Sequence, residues 1–174
     1  MDVSRIFVRR WRASAVFEFR VTKYDPSRRD ARGGLIGDDW TSFSDIGKSF
    51  SDGLLTQEGY SQVEDAYVTA SASFIRESGV PTLSIVGFEN HAAANLPFGE
   101  STALGASDFG TVVRSLLREE YWCRLESIGG FIHVGWDFYM YIGVQRPCPL
   151  AVAETERLGL FVEPFHSPYR DSCA

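Results

Sequence analysis

The residues best suited to do chemistry lie within residues 131–144 (FIHVGWDFYMYIGV). His133 and Asp137 are four residues apart, so in an extended strand they lie on the same face. Such a pair could be half of a metal site, or a general base with the carboxylate that orients it. Their backbones would be about 13 Å apart along a strand, so direct contact requires a bulge, which Gly135 could provide. The alternative is a histidine hydrogen-bonded within a sheet face.

The same run predicts one long strand with two unlike faces. One face is apolar and consists of Ile132, Val134, Trp136, Phe138, Met140, Ile142 and Val144. The other is aromatic but able to hydrogen-bond, and consists of Phe131, His133, Gly135, Asp137, Tyr139 and Tyr141. The solvent-facing side of a strand normally carries lysine, glutamate and threonine. We therefore expect this second face to be either a second buried layer or a recognition surface.

An acidic segment precedes this run. Residues 38–65 hold seven carboxylates and one lysine, a charge of −6 that equals the net charge of the chain. An aromatic anchor surrounded by carboxylates can recognise a cationic partner, which predicts contacts at Asp38, Asp39, Trp40 and Asp45. A second expected set is His133, Asp137, Tyr139 and Tyr141. The alternative is a solvated loop followed by the start of a helix.

Other motifs lack the context that their chemistry needs. Gly47-Lys48-Ser49 resembles the end of a phosphate-binding loop, but Ser42 replaces the required glycine. Residues 108–110 (DFG) have none of the companion motifs of a kinase. No Cys/His spacing fits zinc, no nucleophile elbow is present, and the aspartates do not follow the calcium-loop order. We therefore expect no catalytic residues, no metal and no cofactor.

Composition narrows the class further. A chain of 174 residues that is 44% apolar is expected to build a single core. Its net negative charge argues against nucleic acid as the direct partner, and no apolar stretch is long enough to span a membrane. Cys123, Cys148 and Cys173 are odd in number and widely spaced, which predicts reduced thiols in a cytosolic protein.

Periodicity predicts an α+β fold in the order β-α-β-α-β-β-α-β, with a single mixed or antiparallel sheet and helices mainly on one face. We expect one domain over residues 15–170 and a basic extension over residues 1–14, whose paired arginines are not an export signal because charges interrupt the apolar stretch that would follow. Helices are expected at residues 61–78, 107–117 and 150–158, with Ser107 as an N-cap. A short helix is expected at residues 39–48 within a long loop, residues 26–54. The apolar residues of that loop, Trp40, Phe43, Ile46 and Phe50, would cover the second strand face if that face is a buried layer.

Several segments resemble a family of small uncharacterised bacterial proteins. They are Arg29-Asp30 with Gly34, residues 39–47 (DWTSFSDIG), residues 64–67 (EDAY), residues 122–126 (WCRLE), residues 133–143 (HVGWDFYMYIG), residues 159–163 (GLFVE) and residues 167–169 (SPY). The likeness covers roughly residues 16–169, and such proteins are similar to bacterial toxin-immunity proteins in size, acidity and lack of a catalytic motif.

The resemblance, together with the acidic charge and the lack of a catalytic set, predicts a cytoplasmic, non-catalytic binding protein that neutralises a basic toxin such as a nuclease. Steering by an acidic inhibitor would raise the association rate with such a partner. The alternative is a small-molecule-binding protein or an enzyme, with a pocket on the second face lined by His133, Asp137, Tyr139, Tyr141 and Glu126.

Overall fold

The structure is a computed structural model that describes residues 17–90 and 95–170. The basic extension, His91 and Cys173 lie outside the described residues. The strands are β1 (Phe17–Thr22), β2 (Ser49–Phe50), β3 (Gly53–Leu54), β4 (Leu83–Glu89), β5 (Ala103–Leu104), β6 (Trp122–Glu126), β7 (Gly130–Val134), β8 (Met140–Val144) and β9 (Phe161–Pro164). The helices are α1 (Gln57–Ser78), α2 (Ala106–Leu117) and α3 (Pro149–Arg157).

The α+β class is confirmed. Seven strands form one antiparallel sheet in the order β5-β4-β6-β7-β8-β1-β9, and β2 pairs with β3 in a separate hairpin. Helix α1 contacts β8 and α3, and α2 contacts α1 and β7. That the helices lie mainly on one face stays a prediction.

The helices begin and end where local chemistry allows. Thr56 caps α1 by accepting a hydrogen bond from the Gly59 amide (3.0 Å), which starts the helix four residues before its expected N-terminus. Gly79 ends it with φ of 75°, a left-handed conformation that glycine adopts without strain. The expected cap of α2 is wrong, because that helix begins at Ala106 with Gly105 as the N-cap and no side-chain capping bond.

The single long strand expected at residues 131–144 is wrong. Strands β7 and β8 form a hairpin whose turn is closed by a 2.8 Å hydrogen bond from the Gly135 amide to the Tyr139 carbonyl. Phe138 has φ of 60°, which an extended strand cannot accommodate. The alternation of apolar and polar residues continues through the turn, so periodicity alone did not reveal the break.

The two faces nevertheless persist within the strands. Opposite residues of an antiparallel pair share a face, and β7 and β8 pair Ile132 with Ile142 and His133 with Tyr141. Ile132 and Ile142 belong to the main core, whereas Tyr141 belongs to a small separate cluster with Phe131. Burying each large apolar side chain of the main core contributes about 1.5–3 kcal/mol, so the first face fixes the sheet against the helices.

The loop that precedes α1 packs at a different place from the one expected. Instead of a helix at residues 39–48, it contains a single 3₁₀ turn (Phe43–Asp45) closed by a capping box between Ser42 and Asp45. The Trp40 ring lies 5.4 Å from Tyr60 and 4.9 Å from Phe138.

The remaining apolar residues of the loop follow Trp40. Phe43, Ile46 and Phe50 also pack against the main core. The loop therefore covers the core between α1 and the β7–β8 turn, and the expectation that it covers the second strand face at His133 is wrong.

Candidate functional site

The segment that covers the second face is residues 165–170, which follow β9. Tyr141 lies 5.9 Å from both Phe165 and Tyr169, measured between ring centroids. His133 is 1% exposed and stacks on Phe131 at 4.3 Å. This face is therefore a second buried layer, one of the two alternatives that the sequence left open.

His133 connects two elements through its ring nitrogens. Its Nδ1 lies 2.7 Å from Ser167 Oγ, and its Nε2 lies 3.2 Å from Glu126 Oε1. Burial lowers the pKa of His133, although the Glu126 hydrogen bond and charge oppose this. Burial disfavours the ionised form of Glu126, but the His133 hydrogen bond and the charge of Arg124 outweigh it and lower its pKa. A neutral imidazole thus donates from Nε2 to Glu126 and accepts the Ser167 hydroxyl at Nδ1.

The order serine, histidine, carboxylate is that of a nucleophile with its base, but here the hydroxyl is buried. Ser167 Oγ also lies 3.3 Å from the Tyr169 amide, and the Ser167 amide donates to the Glu18 carboxylate at 3.1 Å. Arg170 pairs with the same carboxylate. These contacts fasten the 165–170 segment to the sheet, and they leave no open approach to His133.

His133 and Asp137 do not pair, and the alternative of a histidine hydrogen-bonded within a sheet face is the one that the structure shows. Asp137 is exposed in the β7–β8 turn, where its carboxylate lies near the Tyr139 amide (3.4 Å). Tyr139 is half-buried with the Arg20 guanidinium 4.9 Å from its ring. The carboxylate that orients the imidazole is Glu126, which the sequence placed only in the alternative pocket.

Sequence reasoning missed Ser167, Glu18 and Arg170. Ser167 is part of the Ser-Pro-Tyr segment of the family likeness, which is the one signal that could have pointed to it. Glu18 alternates with Phe17 and Phe19 in β1, and nothing in this spacing indicates that a segment far along the chain buries it.

A groove of about 400 Å³ opens between the loop and α1. Its lining consists of Lys23, Asp39, Trp40, Phe50, Asp52, Gly53, Leu54, Leu55, Gln62, Val63, Ala66, Leu158, Gly159 and Leu160. The volume lies in the range of sites that hold small ligands or single side chains. The lining combines apolar side chains with the charged groups of Lys23, Asp39 and Asp52.

Lys23 is the charged group most deeply set in this groove. Its Nζ lies 2.8 Å from Asp39 Oδ1, 4.0 Å from the Trp40 ring centroid and 4.1 Å from that of Tyr24. Burial lowers the pKa of Lys23, while the hydrogen bond and charge of Asp39 oppose this effect. Asp39 is therefore neutralised from within the chain.

The other residues expected to contact a partner divide into buried and exposed. Trp40 is only 8% exposed, so its ring belongs to the core and is not a surface anchor. Asp45 caps the 3₁₀ turn and pairs with Lys48 at 2.7 Å. Asp38 is exposed, and its carbonyl accepts a hydrogen bond from Ser51 Oγ (3.1 Å). Of Asp38, Asp39, Trp40 and Asp45, only Asp38 is exposed.

The rim of the groove combines exposed carboxylates with exposed aliphatic groups. The bond between Ser51 and Asp38 holds the β2–β3 hairpin beside residues 36–38. Ile36 and Leu54 are each more than half exposed, and the side chain of Asp52 is 82% exposed. We call Ile36, Asp38, Asp52 and Leu54 the acidic rim.

Two searches of the described residues concern metal clusters and membrane-spanning helices. Within residues 17–90 and 95–170, no group of three His, Cys, Asp or Glu side chains could hold a metal ion. No described helix is long and apolar enough to span a bilayer. Comparison with protein-family models, curated proteins and solved structures finds no match to this chain.

Proposed function

We propose that this protein is a non-catalytic binding protein that holds a basic protein partner at the acidic rim, most concretely an immunity protein that neutralises a toxin. The observation that carries the proposal is that exposed Asp52 and Leu54 line the groove, while exposed Ile36 and Asp38 belong to the segment that Ser51 bonds to the same hairpin. In a protein interface, aliphatic contact area contributes affinity. Exposed charge beside it orients the partner.

The charges of the acidic segment support the rim as the contact surface. Glu64 is fully buried and held by two arginines, and Asp65, Asp39 and Asp45 each pair with a cation of the chain. The carboxylates that remain exposed include Asp38 and Asp52. Steering therefore depends on fewer charges than the segment total of −6 suggested, and one of them, Asp52, lines the groove.

The second face does not support the alternative function. An enzyme or ligand sensor there requires a concave site over His133, and residues 165–170 occupy that space. His133 and Tyr141 are buried and cannot be contacts of a partner unless that segment moves.

The experiment is co-expression with the product of the neighbouring open reading frame, followed by size-exclusion chromatography. We expect a stable complex with the unaltered chain and loss of the complex with Asp38→Lys combined with Asp52→Lys, because reversed charge repels a basic partner. Asp108→Lys is the matched control, since Asp108 is an exposed carboxylate at the start of α2. Failure to recover any partner, or equal loss with the control, would count against the proposal.

A further inference from the structure

We infer that the groove beside Trp40 receives an arginine side chain of the protein partner. This inference rests on the proposed function and names the chemistry of the partner's anchor. Buried anchors that fill a pocket dominate the affinity of most protein interfaces, and arginine is among the residues enriched there.

The charge balance of the groove favours a cation. Three charged groups line the groove: the carboxylates of Asp39 and Asp52 and the ammonium group of Lys23. Lys23 is already paired with Asp39 and lies against the rings of Trp40 and Tyr24. An incoming cation therefore meets an excess of negative charge.

Asp52 is the carboxylate available to that cation. Its nearest charged neighbour is Arg28, whose Nη1 lies 3.9 Å from Oδ2, too far for a hydrogen bond. With 82% of its side chain exposed, Asp52 can accept two parallel hydrogen bonds from a guanidinium group.

The walls of the groove suit the remainder of an arginine side chain. Val63, Leu158 and Leu160 present apolar surface for its methylene stem, and the Phe50 ring is half-buried at the lining. Arginine is less strongly hydrated than lysine and combines a planar fork with affinity for aromatic faces, so it fits carboxylate and ring together better than a point charge does.

The chain uses the same chemistry internally. Arg118 donates to both oxygens of Glu64, from Nε at 2.6 Å and from Nη2 at 2.8 Å, and its guanidinium lies 5.6 Å from the Phe43 ring centroid. A carboxylate with an adjacent phenylalanine ring is thus a combination that holds arginine in this fold.

The test uses butylguanidinium as the probe and butylurea as its neutral counterpart of similar shape. In ¹H–¹⁵N spectra of the full chain, we expect butylguanidinium to shift the Gly53 amide and the Gln62 side-chain amide, which line the groove. Asp52→Asn should weaken this binding about five-fold, the effect of removing one partly exposed charge pair. Asp65→Asn is the control, since Asp65 is exposed on α1 and pairs with Arg114.

Three results would overturn the inference. The first is equal binding of butylurea, and the second is an unchanged affinity of the Asp52→Asn variant for butylguanidinium. The third is tighter probe binding when Arg5, Arg9, Arg10 and Arg12 are replaced by alanine. This third result would identify the chain's own basic extension as the occupant of the groove. If the partner binds the Asp52→Asn variant as tightly as it binds the unaltered chain, the arginine anchor is wrong, but the proposed function still stands. If the probe binds selectively but no protein partner is recovered, the chemistry inferred for the groove is supported and the proposed function is contradicted.

Discussion

Ser167 and His133 are joined by a 2.7 Å hydrogen bond between Oγ and Nδ1, although 34 residues separate them in the chain. Both residues are buried. The bond connects the segment after the last strand of the chain to β7, near the middle of the seven-stranded sheet. Residues 165–170 therefore complete the second buried layer, and their attachment should be measurable as stability.

Replacing Ser167 with alanine should loosen this attachment. The change leaves Nδ1 of a buried imidazole without its partner, which costs about 1–3 kcal/mol. We expect urea denaturation to show that loss in the free energy of unfolding, and native-state hydrogen exchange to show reduced protection of residues 165–170. His166→Ala is the matched control, because the His166 side chain is 94% exposed and its loss should cost less than about 0.5 kcal/mol. Equal losses for the two variants would contradict the role assigned to Ser167.

Burial of His133 should make stability depend on pH. Its pKa in the folded protein lies below the ordinary value of 6.5, so below pH 6.5 the unfolded chain gains a proton that the folded protein excludes. The free energy of unfolding should therefore decrease as pH falls from 6.5 towards the folded pKa, with a slope of at most about 1.4 kcal/mol per pH unit. Urea titrations between pH 7.5 and 5 measure this slope.

Glu126 should change the free energy of unfolding in a lower pH range than His133, so the two groups can be distinguished. Its pKa is lowered from 4.5, so its contribution is present above pH 4.5 and is lost as pH falls through the folded pKa. His133→Gln should flatten the slope between pH 6.5 and 5, and it should also reduce the change in the lower range, because the His133 hydrogen bond helps to lower the pKa of Glu126. A slope in the upper range that survives this change would have to come from another group.

The sequence supported the helices and the buried strands better than the candidate site. The apolar stripe of α1 follows from local periodicity, and Tyr67, Ala70 and Phe74 are buried along it. The turn at residues 135–139 carries no proline and no Asn-Gly pair, and its Gly135 is equally compatible with a bulge in one continuous strand. Ser167 and Glu18 meet only because β1 lies between β8 and β9, and a contact of that range leaves no mark in the spacing of residues.

Glu64 should be far more important for stability than its neighbour Asp65. Glu64 is fully buried and holds Arg114 and Arg118, whereas Asp65 is 64% exposed and pairs with Arg114 alone. Breaking a buried charge pair costs about 3–5 kcal/mol. Because both arginines can turn partly towards water, we expect about 2–3 kcal/mol for Glu64→Ala.

Asp65→Ala provides the comparison in the same denaturation experiment. An exposed pair contributes at most about 1 kcal/mol, so the two alanine variants should differ by more than that. Similar stabilities for both would show that the buried position of Glu64 is not what stabilises the contact between α1 and α2.

Gly143 should tolerate no side chain. It lies opposite Phe131 in the β7–β8 pair, and a Cβ at this position would overlap the Phe131 ring. Overpacking of this kind costs about 1–3 kcal/mol, so Gly143→Ala should lower the midpoint of urea denaturation. Gly99→Ala is the control, because a Cβ at Gly99 meets no atom within 4 Å.

The effect of Gly143→Ala should also reach the 165–170 segment. Phe131 stacks on His133 at an interplanar angle of 13°, so a displaced Phe131 ring moves the imidazole that Ser167 contacts. Gly143→Ala and Ser167→Ala therefore disturb one set of contacts, and their combined cost should fall short of the sum by about 0.5 kcal/mol or more. Strict additivity in the double variant would show that the sites of Gly143 and Ser167 respond independently. Phe131 would then not transmit the change to the 165–170 segment.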